Sequence, residues 1–206
     1  MRLTPILVGL MGCAEPLIGS GQLIEDRRVL EDFTAVETFG VNTRVAMGDA
    51  EDVVIHTDHN LQVYVTTTVE DGVLRIEVDD ELFPTLLTAL VVVPSLTAVS
   101  NHSSADLWVS GLDTQALSVM ASGSGSTELL GSVESLTLLS SGTGVRNAGG
   151  LTAAEVSVEI TGSGTAWMTA TDSISGTLSN TSLLNVFGDP SHKAVETDSA
   201  SEVIYY

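Results

Sequence analysis

The sequence predicts an all-β chain wound as a parallel β-solenoid, a β-helix with coils of about 20 residues. Three observations carry this. Hydrophobic residues make up 43% of the 206-residue chain but aromatics only 4%. The core must therefore be built from Val, Leu, Ile and Ala, which suit a narrow, regularly repeating interior. The 19 glycines, with many Ser and Thr, imply frequent turns, and a short Ser/Gly marker recurs through the second half of the chain.

The chain opens with Met1-Arg2-Leu3-Thr4-Pro5-Ile6-Leu7-Val8-Gly9-Leu10-Met11-Gly12-Cys13. This is a short positive start, an apolar run and then Leu-x-Gly-Cys, an order that resembles a bacterial lipoprotein signal. Residues 1–12 are expected to be the signal peptide and Cys13 the lipidation site and mature N-terminus. The apolar run is too short for a permanent membrane-spanning helix. Cys13 is the only cysteine, so the chain has no internal disulfide. Residues 13–26, with Pro16, Gly19, Ser20 and Gly21, read as a flexible tether.

Residues 27–206 read as the solenoid domain, with residues 27–95 its less regular part. Val41, Thr43, Val45 and Met47 alternate with Asn42, Arg44 and Ala46. A Val-Val-Ile run lies within 52–57. Leu61, Val63 and Val65 alternate with Gln62, Tyr64 and Thr66, as do Leu74, Ile76 and Val78 with Arg75, Glu77 and Asp79. Between the last two segments, Asp71-Gly72 supplies a hairpin turn. Phe83-Pro84 breaks the pattern, and the apolar run 86–93 ends at Pro94.

From residue 96 the chain repeats. Ser122-Gly123-Ser124-Gly125 recurs as Ser141-Gly142-Thr143-Gly144 and Thr161-Gly162-Ser163-Gly164, with degenerate copies starting at Asn101, Ser179 and Ser199. Five residues before each marker stand Leu96, Leu117, Leu136, Val156, Ile174 and Ala194. The next column is Thr97, Ser118, Thr137, Ser157, Ser175 and Val195. The one after is Ala98, Val119, Leu138, Val158, Gly176 and Glu196. Apolar, hydroxyl, apolar is a strand with one face inward. A second inward strand is expected around Trp108, Leu129, Ala148, Met168, Val186 and Tyr206. Stacking pairs each strand with its copy in the next coil. The glycines fall at corners, where positive φ is expected.

With 27 acidic and 7 basic residues, the formal net charge is -20. Phosphate contacts need Lys/Arg clusters, so nucleic acid is excluded as a partner. Chemistry-bearing patterns are sparse. The densest acidic run, Asp79-Asp80-Glu81, would alternate faces in a strand and form no ready acid/base pair. His56 and His59 flank Asp58, a spacing that reads as a solvated turn rather than a metal site. His102 reads as an exposed corner. Arg146 is the only basic residue between Arg75 and Lys193. No phosphate loop, dinucleotide fingerprint or nucleophile elbow occurs.

Arg28-Val29-Leu30-Glu31-Asp32-Phe33-Thr34-Ala35-Val36, then Asp58-His59-Asn60-Leu61, Val65-Thr66 and Gly72-Val73-Leu74-Arg75-Ile76, then the Ser-Gly-Ser-Gly repeats, together resemble the auto-transporter adhesin head GIN domain family across residues 27–206. The resemblance implies a right-handed parallel β-helix and an exported, often lipid-anchored protein. It departs where family copies carry Asp after the second Gly; here Ser126, Val145 and Thr165 stand. The expectation is a bacterial cell-envelope protein, an outer-membrane lipoprotein facing the periplasm or the exterior. It would be held to the membrane through Cys13 and bind an envelope or surface ligand, a polysaccharide or a protein. No catalytic residue, metal or cofactor is expected. The alternative is a carbohydrate-active β-helix enzyme or polysaccharide-binding module.

Overall fold

The computed structural model describes residues 16–78 and 82–206. Cys13, the expected lipidation site, and the acidic run 79–81 lie outside the described residues. The strands are β1 (Leu17–Ile18), β2 (Leu23–Arg28), β3 (Ala35–Phe39), β4 (Asn42–Met47), β5 (Asp52–Asp58), β6 (Val65–Glu70), β7 (Val73–Val78), β8 (Leu82–Phe83), β9 (Thr88–Val93) and β10 (Ala98–Asn101). Then come four long strands that each bend around a coil: β11 (Leu107–Ala121), β12 (Thr127–Ser140), β13 (Val145–Gly162) and β14 (Thr165–Asn180). The last coil is β15 (Leu183–Phe187), β16 (His192–Thr197) and β17 (Glu202–Tyr205).

These strands stack as a parallel β-solenoid of about five turns, as the repeat predicts. One ladder runs β7-β3-β10 and on through the second halves of β11 to β14 to β16. The other runs β9-β4 and through the first halves of β11 to β14 to β15 and β17. The first two coils stack out of chain order, because β7 and β9 lie outside β3 and β4. At that end the parallel pattern stops. β6 folds back antiparallel on β7, and β5 lies antiparallel on β9 and pairs with β2. The hairpin between β6 and β7 turns at Asp71 (φ 51°) and Gly72 (φ 75°). Positive φ at both central residues is what a two-residue hairpin matching strand twist requires.

One continuous aliphatic core fills the coils from Phe33 to Val186. Inward rows are made of like residues. Val36, Val99, Val119, Leu138 and Val158 form one, and Leu117, Leu136, Val156 and Ile174 another.

The corner glycines are there chiefly for a different reason from the one expected. Gly123 has positive φ (120°), but Gly142, Gly144 and Gly162 do not. Coil backbones pass so closely at this corner that a Cβ on Gly142 would overlap the Gly123 carbonyl oxygen. One on Gly144 would meet that of Gly125, and one on Gly162 that of Gly142.

The structure corrects other expectations as well. Residues 16–26, expected as part of a flexible tether, are bound to the solenoid by β1–β8 and β2–β5 pairing. Residues 61–64, expected as strand, form a 3₁₀ turn over Gln62–Tyr64 that leaves Val63 72% exposed while Leu61 and Val65 are buried. The first and last repeat copies slip by one residue. Val99 pairs with Val119, Ala98 with Ser118 and Val109 with Leu129. At the far end Lys193 pairs with Ile174, Ala194 with Ser175, Val195 with Gly176 and Tyr205 with Val186. Thr97, Trp108, Glu196 and Tyr206 therefore leave the columns assigned to them. In the first copy Asn101 turns inward, where its amide donates to Ala105 O, and the corner begins at His102. In the last copy Asp198 takes the corner, accepting N–H bonds from Asn180 (2.7 Å) and Ser201 (2.9 Å).

Candidate interaction faces

The outward rows of the first ladder are set by the same alternation that fills the core. Ser118, Thr137, Ser157 and Ser175 stand side by side, with Ala98 and Ala194 at the two ends. Two residues on, the row is Ser100, Met120, Leu139, Glu159 and Thr177. Met120 is substantially exposed. Adjacent coils lie about 4.8 Å apart, so the hydroxyls repeat at that spacing along a rigid face.

The N-terminal end of this face carries a charged cluster that the sequence did not reveal. Because β3 sits between β7 and β10, it brings Glu37 beside Arg75 and near His102. The Arg75 guanidinium donates to both carboxylate oxygens of Glu77 (2.8 and 3.1 Å), lies 3.6 Å from Glu37 and stacks 4.1 Å from the Phe39 ring centre. His102 stacks on the same Phe39 ring, with ring centres 4.8 Å apart. It is packed rather than an exposed corner. Its Nδ1 lies 2.9 Å from Ser122 Oγ and its Nε2 2.9 Å from Glu37. Beside the cluster a solvent-open groove is lined by Glu37, Thr66, Thr68, Glu70, Arg75 and Glu77, among others. A groove gathering carboxylates thus exists, but Arg75 sits among them and engages two, Glu37 and Glu77. Ser122, His102 and Glu37 line up as hydroxyl, imidazole and carboxylate. Neither Ser122 nor His102 lines that groove, and Nε2 is not aligned for a hydrogen bond to Glu37. The only sequence signal for the cluster was the pairing of Arg75 with Glu77 on one strand face.

Two further polar groups are interior. Arg146 is 3% exposed and points into the coil. It donates to Ser140 Oγ and to the carbonyls of Gly123, Gly125 and Val145. Burial pushes its guanidinium pKa down, and among the described residues no carboxylate pairs with it. It braces the glycine corner and is closed to ligands.

Asp58 is also fully buried. Burial would raise its carboxyl pKa, but N–H bonds from Thr85 (2.7 Å) and Gly21 (2.6 Å), the Thr85 hydroxyl (3.1 Å) and the Leu86 amide outweigh it and hold the group below the usual carboxylate range. Its oxygens are thereby spent on holding residues 19–21 to the loop after β8. His56 lies within β5 and His59 is exposed beyond it, and no group of three or more metal-ligating side chains converges among the described residues.

A stack of coils with flat outward rows defines a solenoid domain of the kind that presents extended faces. The chain belongs to the family described as "Putative auto-transporter adhesin, head GIN domain", which it matches over residues 32–190. Solved structures that share its fold include the following three. A putative adhesin from Bacteroides fragilis superposes with a TM-score of 0.75 at 19% identity, covering 92% of this chain and 100% of that one. A putative lipid binding protein from Parabacteroides distasonis gives 0.56 at 16% identity, over 93% and 100%. A putative adhesin from Parabacteroides merdae gives 0.51 at 20% identity, over 94% and 100%. A comparison with curated proteins finds no match.

Proposed function

We propose that this chain is an exported envelope lipoprotein, acylated at Cys13, whose solenoid is an adhesin-like interaction module and performs no catalysis. The observation that carries the interaction role is the outward row Ser118, Thr137, Ser157 and Ser175, one hydroxyl per coil. A rigid ladder of identical groups offers many weak contacts at fixed spacing. That suits multivalent attachment to a repetitive polysaccharide or protein surface of the envelope better than it suits positioning one reacting bond. Arg75 engages Glu37 and Glu77 of the charged cluster, and neither Ser122 nor His102 lines the groove beside it. The net charge of -20 speaks against nucleic acid. The family membership supports the adhesin-like reading, and the Leu-x-Gly-Cys sequence supports acylation at Cys13, in a lipoprotein that we place in the outer membrane.

The test has two arms. Wild type should partition into detergent and Cys13→Ser should stay soluble or remain a precursor; equal partitioning would remove the anchor. Purified protein should bind envelope or plant polysaccharides without releasing oligosaccharides, and should leave aryl esters intact. Turnover abolished by Ser122→Ala, Glu77→Gln or substitution at Asp79, Asp80 or Glu81 would overturn the non-enzymatic reading.

A further inference from the structure

The described chain begins close to the proposed lipid site. Four residue steps separate Cys13 from Leu17, and four steps of extended chain reach at most about 14 Å. Leu17 is no longer tether: β1 pairs with β8, Gly19 N–H donates to Phe83 O (2.9 Å), and Asn60 donates to Ile18 O (2.9 Å). The Cys13 backbone is therefore held within that reach of a fixed point on the solenoid, with an acyl group one side chain further out.

Around that point the surface turns apolar. Ile18 and Phe83 are directly paired in the β1–β8 ladder, so their side chains leave the same face. They are 65% and 51% exposed, and Leu86, three residues beyond Phe83, is 39% exposed. Ile18 and Phe83 thus form an exposed apolar pair at the end of the chain nearest Cys13, with Leu86 on the same loop, and exposed apolar groups that lie together are the kind of feature that marks a docking surface. The buried Asp58 carboxylate fixes both halves of it, through Gly21 on one side and Thr85 on the other.

We propose that Ile18, Phe83 and Leu86 form a membrane-resting surface that inserts among the lipid headgroups beside the Cys13 acyl chains, holding the solenoid seated on the bilayer instead of swinging on a leash. This rests on the lipoprotein reading above. The occupant is a zwitterionic lipid surface, because the net charge of -20 repels anionic headgroups. Aliphatic and aromatic side chains buried at the headgroup boundary add apolar contact to the acyl anchor and fix how the solenoid sits on the bilayer.

The experiment uses the full acylated chain in phosphatidylcholine vesicles, with lipids brominated near the headgroup as quenchers. Tryptophan is placed by Phe83→Trp or, at the opposite end of the stack, by Tyr206→Trp. The emission of Trp108 and Trp167 is subtracted using the parent chain. Brominated lipid should remove most of the emission at position 83 and none at position 206. Absence of quenching at position 83, in protein that floats with the vesicles and carries the acyl mass on Cys13, overturns the docking surface and leaves the anchor standing. Absence of the acyl mass overturns the anchor and the docking surface together.

Discussion

Ser157 and Val158 are neighbours in β13 that face opposite ways, Val158 buried and Ser157 exposed. Val158→Asp places an unpaired charge between Leu138 and Gly176 in an aliphatic row, a change that costs about 3–5 kcal/mol. Ser157→Asp should move stability by no more than about 0.5 kcal/mol. Urea midpoints of the two variants check this; equal losses would contradict the register. Asp58 makes a second prediction at this scale. Its folded carboxyl is held below its ordinary value of about 3.9, so the group stabilises the fold above that pH. The contribution fades as pH falls through the lower folded value. Asp58→Asn should therefore be less stable than wild type at neutral pH, and the gap should narrow below about pH 4. A gap constant down to pH 2 would show that the carboxylate charge is not what the Gly21 and Thr85 donors hold.

At the scale of the element, the glycine corner is set by the coil next to it. A Cβ on Gly142 would overlap Gly123 O and lie 2.6 Å from Gly123 N, so Gly142→Ala must push two coils apart, at about 1–3 kcal/mol. Ser141→Ala, on an exposed neighbour, should be within about 0.5 kcal/mol of wild type. Thermal melts of the pair separate close approach from simple loss of a corner residue. The middle coils were legible in the sequence because Leu117, Leu136 and Val156 keep phase with intact Ser-Gly markers, and Ile174 keeps the same phase. The end copies were not, because Asn101 and Asp198 occupy positions where residue type alone allows two alignments. The 61–66 stretch alternates like a strand, yet Leu61 N–H bonds to Asp58 O and Tyr64 N–H to Leu61 O, local turns that alternation cannot express. The charged cluster stayed hidden for a topological reason: Glu37, Arg75 and His102 meet only because β7 stacks outside β3, against chain order.

Across the whole molecule, the two ends of the stack are finished differently, and this predicts where it opens first. In a solenoid each coil is stabilised mainly by its neighbours, so a coil with one neighbour is the weakest. At the N-terminal end the open ladder edges are covered by antiparallel strands, β6 on β7 and the β5–β2 pair on β9. At the other end, among the described residues, β16 pairs only with β14 and β17 only with β15. Along β16 every residue but Val195 is exposed. The ties at this end are side-chain ones at the surface: Asp198 to Asn180 and Ser201, Lys193 to Asp189, Tyr206 stacked on Phe187 and bonded to Asn185, and Ser201 to Ser182. Exposed backbone hydrogen bonds and little buried apolar surface mark the low-stability end of a structure. Native-state hydrogen exchange should therefore be fastest in β16 and β17, slow in β7 and β9, and slowest in β12 and β13. Adding salt should raise protection throughout, by screening the self-repulsion of a chain carrying a net charge of -20, without changing that order. Protection in β16 equal to that in β13 would mean that this edge is covered in solution by another chain, and that the stack continues beyond one molecule.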